Sequence, residues 1–353
     1  MKKIALVELG GSHDECLYAQ LLFLENQGFE TIDLWVNERL ADAVAFFDKA
    51  HQTSFLPSSP TVKDLYNFRQ TLIQRAYDLV IFNTCQGNNV KNLLLLPFPS
   101  HITFAGILHN TGKINGSWGQ SLISRKITRY FFLNDFLLRD KNDPKLSTFY
   151  PIFFPEYPQV ALPKREKEIW ISVPGQVELK RRDYSSMVEA LGQLPKNSPI
   201  KVIFLGNSTH QFGDGEALRS MAIAAGIEHR LVIFNEKLPN DVFYTYIQKS
   251  NYIMPLIHPG HSSFPLYQHQ ITGAFNLAFG FKKPLLMESA FNTYADFREN
   301  ALFYSQHELV PFLAQLSPAP SDQMYMDPKW TFCFQQRKYL QHLQVNLAAE
   351  MDN

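Results

Sequence analysis

The sequence predicts an α/β protein of two domains, each a parallel sheet wound on both faces with helices. Three observations predict it. Short apolar runs alternate with helical segments in both halves, a proline-rich stretch divides the halves, and 353 residues suffice for two ordinary cores.

Residues 4–9 form an apolar run that stops at Gly10-Gly11, and residues 14–27 read as an amphipathic helix ended by Gly28. Residues 30–36 supply the next strand and complete a βαβ unit. Residues 77–83 (YDLVIFN), 101–108 (HITFAGIL) and 129–134 (RYFFLN) read as further buried strands. Residues 150–163 hold four prolines and no helical period, which marks a linker, and the charged residues 164–168 read as a solvated turn.

A second series follows. Strands are expected at residues 169–173, 201–205, 230–234 and 252–257, with 283–287 closing the sheet. Helices are expected from residue 184 and over 216–225, 241–249 and 272–279, with one long terminal helix over 328–349. The expected domains are residues 1–155 and 164–328, with residues 329–353 packing back toward the first domain.

Composition narrows the function. Apolar residues make up 45% of the chain and charged residues 19%, which excludes a disordered protein. The 33 basic and 33 acidic residues cancel, so nucleic acid is not an expected partner. Cys16, Cys85 and Cys333 form no metal-type pair, and so sparse a set fits a cytoplasmic protein. The apolar run after Lys2-Lys3 is too short for a signal peptide. No stretch reaches the roughly 20 apolar residues of a transmembrane helix, which leaves peripheral membrane contact open.

Ligands of open parallel sheets bind beyond the carboxyl ends of strands, where helix amino termini offer free N–H groups. Four loops there have suggestive composition. Gly10 to Glu15 (GGSHDE) offers a tight turn with His13 as a base, or else a turn in which Ser12 or Asp14 caps a helix. His109-Asn110-Thr111-Gly112 could steer a sugar, or His109 could hold a structural hydrogen bond. Pro174-Gly175-Gln176-Val177 leads to Lys180-Arg181-Arg182, a bared backbone followed by cations, as a diphosphate requires; the alternative is a solvated basic turn. Thr272-Gly273-Ala274 opens a helix that a phosphate can approach, unless its small residues serve helix packing.

His258, His261 and His269 lack a carboxylate or cysteine partner, so no zinc site is expected. Glu288 and Asp296 could reach ribose hydroxyls, but surface placement is the expectation. The G-x-G-x-x-G, G-x-S-x-G and P-loop patterns are absent from the loops, as is D-x-D.

In order of features the second half resembles the nucleotide-sugar domain of GT-B glycosyltransferases, in particular the retaining family 4. Residues 171–175 with Lys180 and Arg181 resemble that family's glycine strand and basic phosphate residue. Residues 231–257 resemble the stretch that holds the base, and residues 271–284 (ITGAFNLAFGFKKP) the helix and turn facing diphosphate and ribose. The resemblance implies two Rossmann-like domains facing a cleft, with a nucleoside diphosphate sugar as co-substrate and no other cofactor. It implies a saccharide or lipid-linked glycan as acceptor. Gly175, Gln176, Asn235, Glu236, Lys237, Leu238, Thr272, Gly273 and Ala274 would hold the nucleotide, while Lys180 and Arg181 would take the charge of the leaving diphosphate. Gly11, His13, Asp14 and His109 would face the acceptor, with His13 or Asp14 as base if configuration inverts. Two departures stand out: the family's paired glutamates fall near His269 and Leu277, and its arginine after the glycine is Gln176. The alternatives are a nucleotide-sugar epimerase and a catalytically silent GT-B binding protein.

Overall fold

The computed structural model describes residues 2–138, 142–164, 166–209, 213–319 and 323–344. They divide into two compact units. Unit 1 comprises Met1–Pro155, His269–Ile271 and Pro328–Asn353, and unit 2 comprises Glu156–Gln268 and Thr272–Asp327.

Unit 1 contains a seven-stranded sheet of β1 (Lys3–Glu8), β2 (Thr31–Asn37), β3 (Gln52–Leu56), β4 (Leu79–Phe82), β5 (Thr103–Ile107), β6 (Ile127–Leu133) and β7 (Leu146–Phe149). The order is β3-β2-β1-β4-β5-β6-β7, and the pairings are parallel. Its helices are α1 (Leu17–Leu24), α2 (Ala41–Val44), α3 (Val62–Gln74), α4 (Asn88–Leu95), α5 (Lys113–Gly116) and α6 (Trp118–Ser124). Strand periodicity builds a core on each face. Ile4 and Leu6 of β1 join α1, whereas Ala5 and Val7 join Leu65, Phe68, Val90 and Leu93 of α3 and α4.

Unit 2 contains β8 (Ile169–Val173), β9 (Ile200–Phe204), β10 (Leu231–Ile233), β11 (Tyr252–Ile253), β12 (Leu285–Glu288) and β13 (Ala301–Tyr304) in the parallel order β10-β9-β8-β11-β12-β13. The helices are α7 (Tyr184–Gln193), α8 (Gly215–Ala224), α9 (Asn240–Lys249), α10 (Gly273–Gly280), α11 (Ala295–Arg298) and α12 (Leu309–Ala314). One more helix, α13 (Phe332–Leu343), returns to unit 1, where Tyr339, Leu340 and Leu343 close the core over β6, β7 and α1.

Both sheets reverse their winding beside the first strand, at β1/β4 in unit 1 and β8/β11 in unit 2. In open parallel sheets such reversal points are where ligands bind, because the loops leaving the strand ends diverge there.

Several sequence expectations are corrected. The helix expected over 14–27 starts as a 3-10 turn at Asp14–Cys16 and stops at Leu24, because Asn26 and Gly28 take left-handed backbone conformations. It is not amphipathic: the sheet covers one side and α13 the other, so Gln20 is buried with Leu17, Leu21 and Phe23. The strand expected over 252–257 ends at Ile253, since Pro255 lacks an N–H and Leu256 has φ 55°. The sheet closes on β13 rather than on residues 283–287. The long terminal helix spans only Phe332–Leu343, after a 3-10 turn at Pro328–Trp330, and residues 345–349 of it lie outside the described residues. Of the charged residues 164–168, Glu166 and Lys167 form the expected exposed turn, whereas Glu168 is buried, pairs with Lys201 at 3.1 Å and accepts a bond from the Trp170 indole.

Candidate functional site

Each unit carries a polar cluster at its own reversal point. In unit 1 the cluster starts from Glu8, the last residue of β1 and fully buried. Its carboxylate accepts bonds from the Gly10 amide (2.6 Å), the Asn83 side-chain amide (2.7 Å) and the Thr84 hydroxyl (2.6 Å). Burial pushes the Glu8 carboxyl above its ordinary range, against the pull of those donors and of His13. Asn83 also donates to the His13 carbonyl (2.8 Å) and accepts from Gln20 of α1 (2.8 Å), which accepts in turn from the Tyr339 hydroxyl of α13 (3.0 Å). Four buried side chains thus fix the turn that carries His13.

His13 itself has φ 68° and ψ 26°, a left-handed conformation rare outside glycine. It turns the imidazole onto that of His109, with ring centroids 3.8 Å apart and 17° from parallel. His109 follows β5 and is buried, and its Nε2 lies 2.8 Å from the Asn83 carbonyl, so that nitrogen carries the proton and Nδ1 is left as an acceptor. Burial, then the charge of His13, pull its pKa down to about 3. Burial also pulls on His13, but the Glu15 carboxylate at 3.5 Å from Nδ1, helped by Glu8 and Asp14, more than offsets it and leaves the pKa raised. The interaction holds Glu15 below its ordinary value despite burial. The pair is therefore one neutral ring and one basic ring a van der Waals contact apart, with opposite protonation preferences.

The loop after His109 folds against a segment distant in sequence. The His269 carbonyl accepts from the Thr111 amide (2.9 Å) and hydroxyl (3.2 Å), and Asn110 accepts from Gly112 (3.0 Å). His269 thus belongs with Thr111, not with His258 and His261. Among the described residues no group of three or more His, Cys, Asp or Glu could hold a metal ion.

In unit 2 the loop leaving β8 turns at Gly175, φ +99°, where a methyl group would overlap the Arg182 guanidinium. Gly206, after β9, crosses so close that its Cβ would overlap the Gly175 carbonyl oxygen. Of the three successive cations, Lys180 and Arg181 are exposed, and Arg181 lies 3.8 Å from Glu178. Arg182, 8% exposed, is buried against the glycine turn, and its Nη1 has no hydrogen-bond partner. A buried guanidinium N–H without an acceptor is costly, and it is satisfied when a ligand, ion or water brings one.

The loop after β11 braces this turn. His261 bonds the Leu179 carbonyl through Nε2 (2.8 Å), and Ser263, which contacts its Nδ1, donates to the Arg181 carbonyl (2.8 Å). Further on, Phe264 packs on Phe291 and Phe291 on Phe275, which ties the first turn of α10 to the same loop. There Thr272 caps the Ala274 amide (3.4 Å) and Gly273 is exposed. Of the expected nucleotide residues, Arg181 is thus braced by the loop after β11, and the first turn of α10, which Thr272, Gly273 and Ala274 open, is tied to that loop through Phe275, Phe291 and Phe264. Gly175 packs against Arg182, and the Gln176 carbonyl accepts from the Tyr184 hydroxyl (3.2 Å). Asn235, Glu236, Lys237 and Leu238 sit beyond β10, the edge strand, where the Asn235 side chain is already bonded by Arg219 of α8.

The expected surface placement of Glu288 and Asp296 is overturned: both are buried. Glu288 caps its own turn at Ser289 and lies 3.4 Å from His258 Nε2, while the other ring nitrogen of His258 accepts from Gly260. Sequence reasoning missed Glu8 and Asn83, and it named Glu15 only as the end of the Gly10–Glu15 loop, without a role. The only signal was a carboxylate ending an otherwise apolar run and an amide ending another.

No family model and no curated protein matches the chain. Solved structures do. A Listeria monocytogenes protein assigned as a UDP-N-acetylglucosamine 2-epimerase superposes with TM-score 0.63 at 13% identity, covering 98% of this chain and 96% of its own. A glycosyltransferase from Rickettsia africae gives TM-score 0.63 at 11% identity over 98% of both chains. An Anabaena protein solved in complex with UDP gives 0.60 at 13% identity over 98% and 95%.

The fold is GT-B. In GT-B terms the expectation of two Rossmann-like domains holds, with the parallel sheets of seven and six strands as their frameworks. At these identities the likeness speaks for the GT-B fold alone.

Proposed function

We propose that this chain is a glycosyltransferase that moves a sugar from a nucleoside diphosphate sugar to a saccharide or lipid-linked glycan. The observation that carries this reading is the turn after β8, where Arg182 lies buried on Gly175 with Nη1 unpartnered and Lys180 and Arg181 stand beside it. A diphosphate supplies the acceptor oxygens that such a guanidinium lacks. As the glycosidic bond breaks, its electron pair leaves on the diphosphate. Arg182, Lys180, Arg181 and the amide end of α10 would stabilise that charge without a metal.

On the acceptor side, His13 would take the proton of the attacking hydroxyl as its oxygen bonds to the anomeric carbon. Glu15 raises the basicity of His13 for this step. His109, neutral with Nδ1 unprotonated, can accept a hydrogen bond from a sugar hydroxyl.

A nucleotide-sugar epimerase is the second reading, favoured by the equal superposition on a protein assigned that activity. Incubation with a panel of UDP- and GDP-sugars, with and without glycan acceptors, separates the two. Transfer or acceptor-dependent release of nucleoside diphosphate supports the transferase. An altered sugar still carried by its nucleotide supports the epimerase. If calorimetry detects no binding of any nucleoside diphosphate, both readings fail and a silent binding protein remains.

A further inference from the structure

Residues 79–134 contain no Asp or Glu and five Lys or Arg, in a chain whose 33 basic and 33 acidic residues balance overall. They form β4, α4, β5, α5, α6 and β6 of unit 1. Helices α4 and α6 lie side by side on one face of the sheet, and Lys91 runs along the first turn of α6 at Gly119.

The outward stripes of these helices are distinctive. On α6, Trp118 is 77% exposed, and Leu122 and Arg125 follow at helical spacing on the same side. On α4, Lys91 is followed one turn later by Leu95, 58% exposed. Lys126 extends the basic end. The other tryptophans, Trp35, Trp170 and Trp330, are buried, so Trp118 is exceptional within its own chain. An indole and two leucines rimmed by cations with no acid among them match the chemistry of an anionic bilayer surface. Indole and aliphatic groups enter the headgroup boundary while Lys and Arg meet lipid phosphates.

We infer that the α4–α6 face, centred on Trp118, Leu95, Lys91 and Arg125, docks unit 1 on anionic membrane surfaces. The contact is peripheral and weakens with salt, because exposed cations are screened. It stands independently of which reaction the chain catalyses.

The test uses the full chain with phosphatidylcholine vesicles, with and without phosphatidylglycerol, at low and moderate salt. Co-sedimentation with the anionic vesicles alone is expected, accompanied by a blue shift of tryptophan emission. Because the other three indoles are buried, that shift disappears in Trp118→Ala. The combined Lys91→Gln and Arg125→Gln change lowers vesicle partitioning by about tenfold or more, with the thermal unfolding midpoint unchanged. Three results would overturn the assignment: no sedimentation at low salt, equal binding to neutral vesicles, or Trp118-dependent self-association without vesicles, which would make a second copy the occupant of the face.

Discussion

The rings of His13 and His109 lie in stacked contact, 3.8 Å apart, yet their environments drive their protonation in opposite directions. Across the neutral range His109 stays an uncharged acceptor while His13 titrates above 6.5. Imidazole NMR resonances should therefore show one ring titrating late and one not at all down to about pH 3. A single shared transition near 6.5 would contradict the arrangement.

Stability should fall in acid for the same reason. His109 and His342 have pKa values depressed to about 3 and about 4 by burial, so between those values and 6.5 the unfolded chain binds protons that the native chain does not. Each group then contributes stability that is complete above 6.5 and lost as pH falls toward its native pKa. The slope is up to about 1.4 kcal/mol per pH unit for each group. Urea unfolding between pH 7 and 4 measures it, and His342→Gln should flatten the curve.

Glu8→Gln replaces one acceptor oxygen with a donor amide facing the Gly10 amide, or Asn83 and Thr84. A cost of about 1–3 kcal/mol is expected for the unsatisfied contact. The variant should also lower the pKa of His13, which loses the field of Glu8. Tyr339→Phe, at the far end of the chain of bonds, should cost about 1 kcal/mol and leave the His13 charge environment intact.

Arg182→Met should barely change the unfolding midpoint, because no hydrogen bond at Nη1 is lost. Binding of UDP or GDP should weaken by about 30-fold or more, the worth of a charge-assisted bond. Lys180→Ala with Arg181→Ala should have a smaller effect, since both side chains are solvated. Calorimetry gives the comparison directly. Equal losses from the two variants would remove Arg182 from the phosphate role.

Gly206→Ala should be far more damaging than its size suggests. Its methyl group would overlap the Gly175 carbonyl, a backbone atom that cannot rotate away. A loss of about 3 kcal/mol or more is expected, seen as a lowered melting temperature or insoluble protein. The nearby Gly192→Ala serves as the mild control, its nearest neighbour being the Ala225 methyl at 3.7 Å.

The fold was legible because interior parallel strands are covered on both faces and read as continuous apolar runs, as in residues 79–82 and 202–204. The strands that escaped notice, β3, β7 and β13, are all sheet edges, where QTSFL and LSTF carry polar, partly exposed residues and lose that signature. The candidate site was legible only in outline. Three adjacent cations in the sequence KRR cannot reveal that the third turns inward, since that depends on how Gly206 passes Gly175. Likewise Glu15 and Glu8 become partners of His13 only through its left-handed backbone, a conformation that sequence pattern does not forecast for histidine.

The return of α13 to the first sheet has a consequence for biosynthesis. When residue 155 leaves the ribosome, Phe23, Phe131 and Phe149 still lack Tyr339, the aromatic ring that all three pack against. The second unit is translated in full before that ring arrives, so the earlier-made half is the later to mature. During the interval its apolar flank is the surface on which a chaperone would act, and nascent chains halted short of residue 332 should be held by one rather than released native.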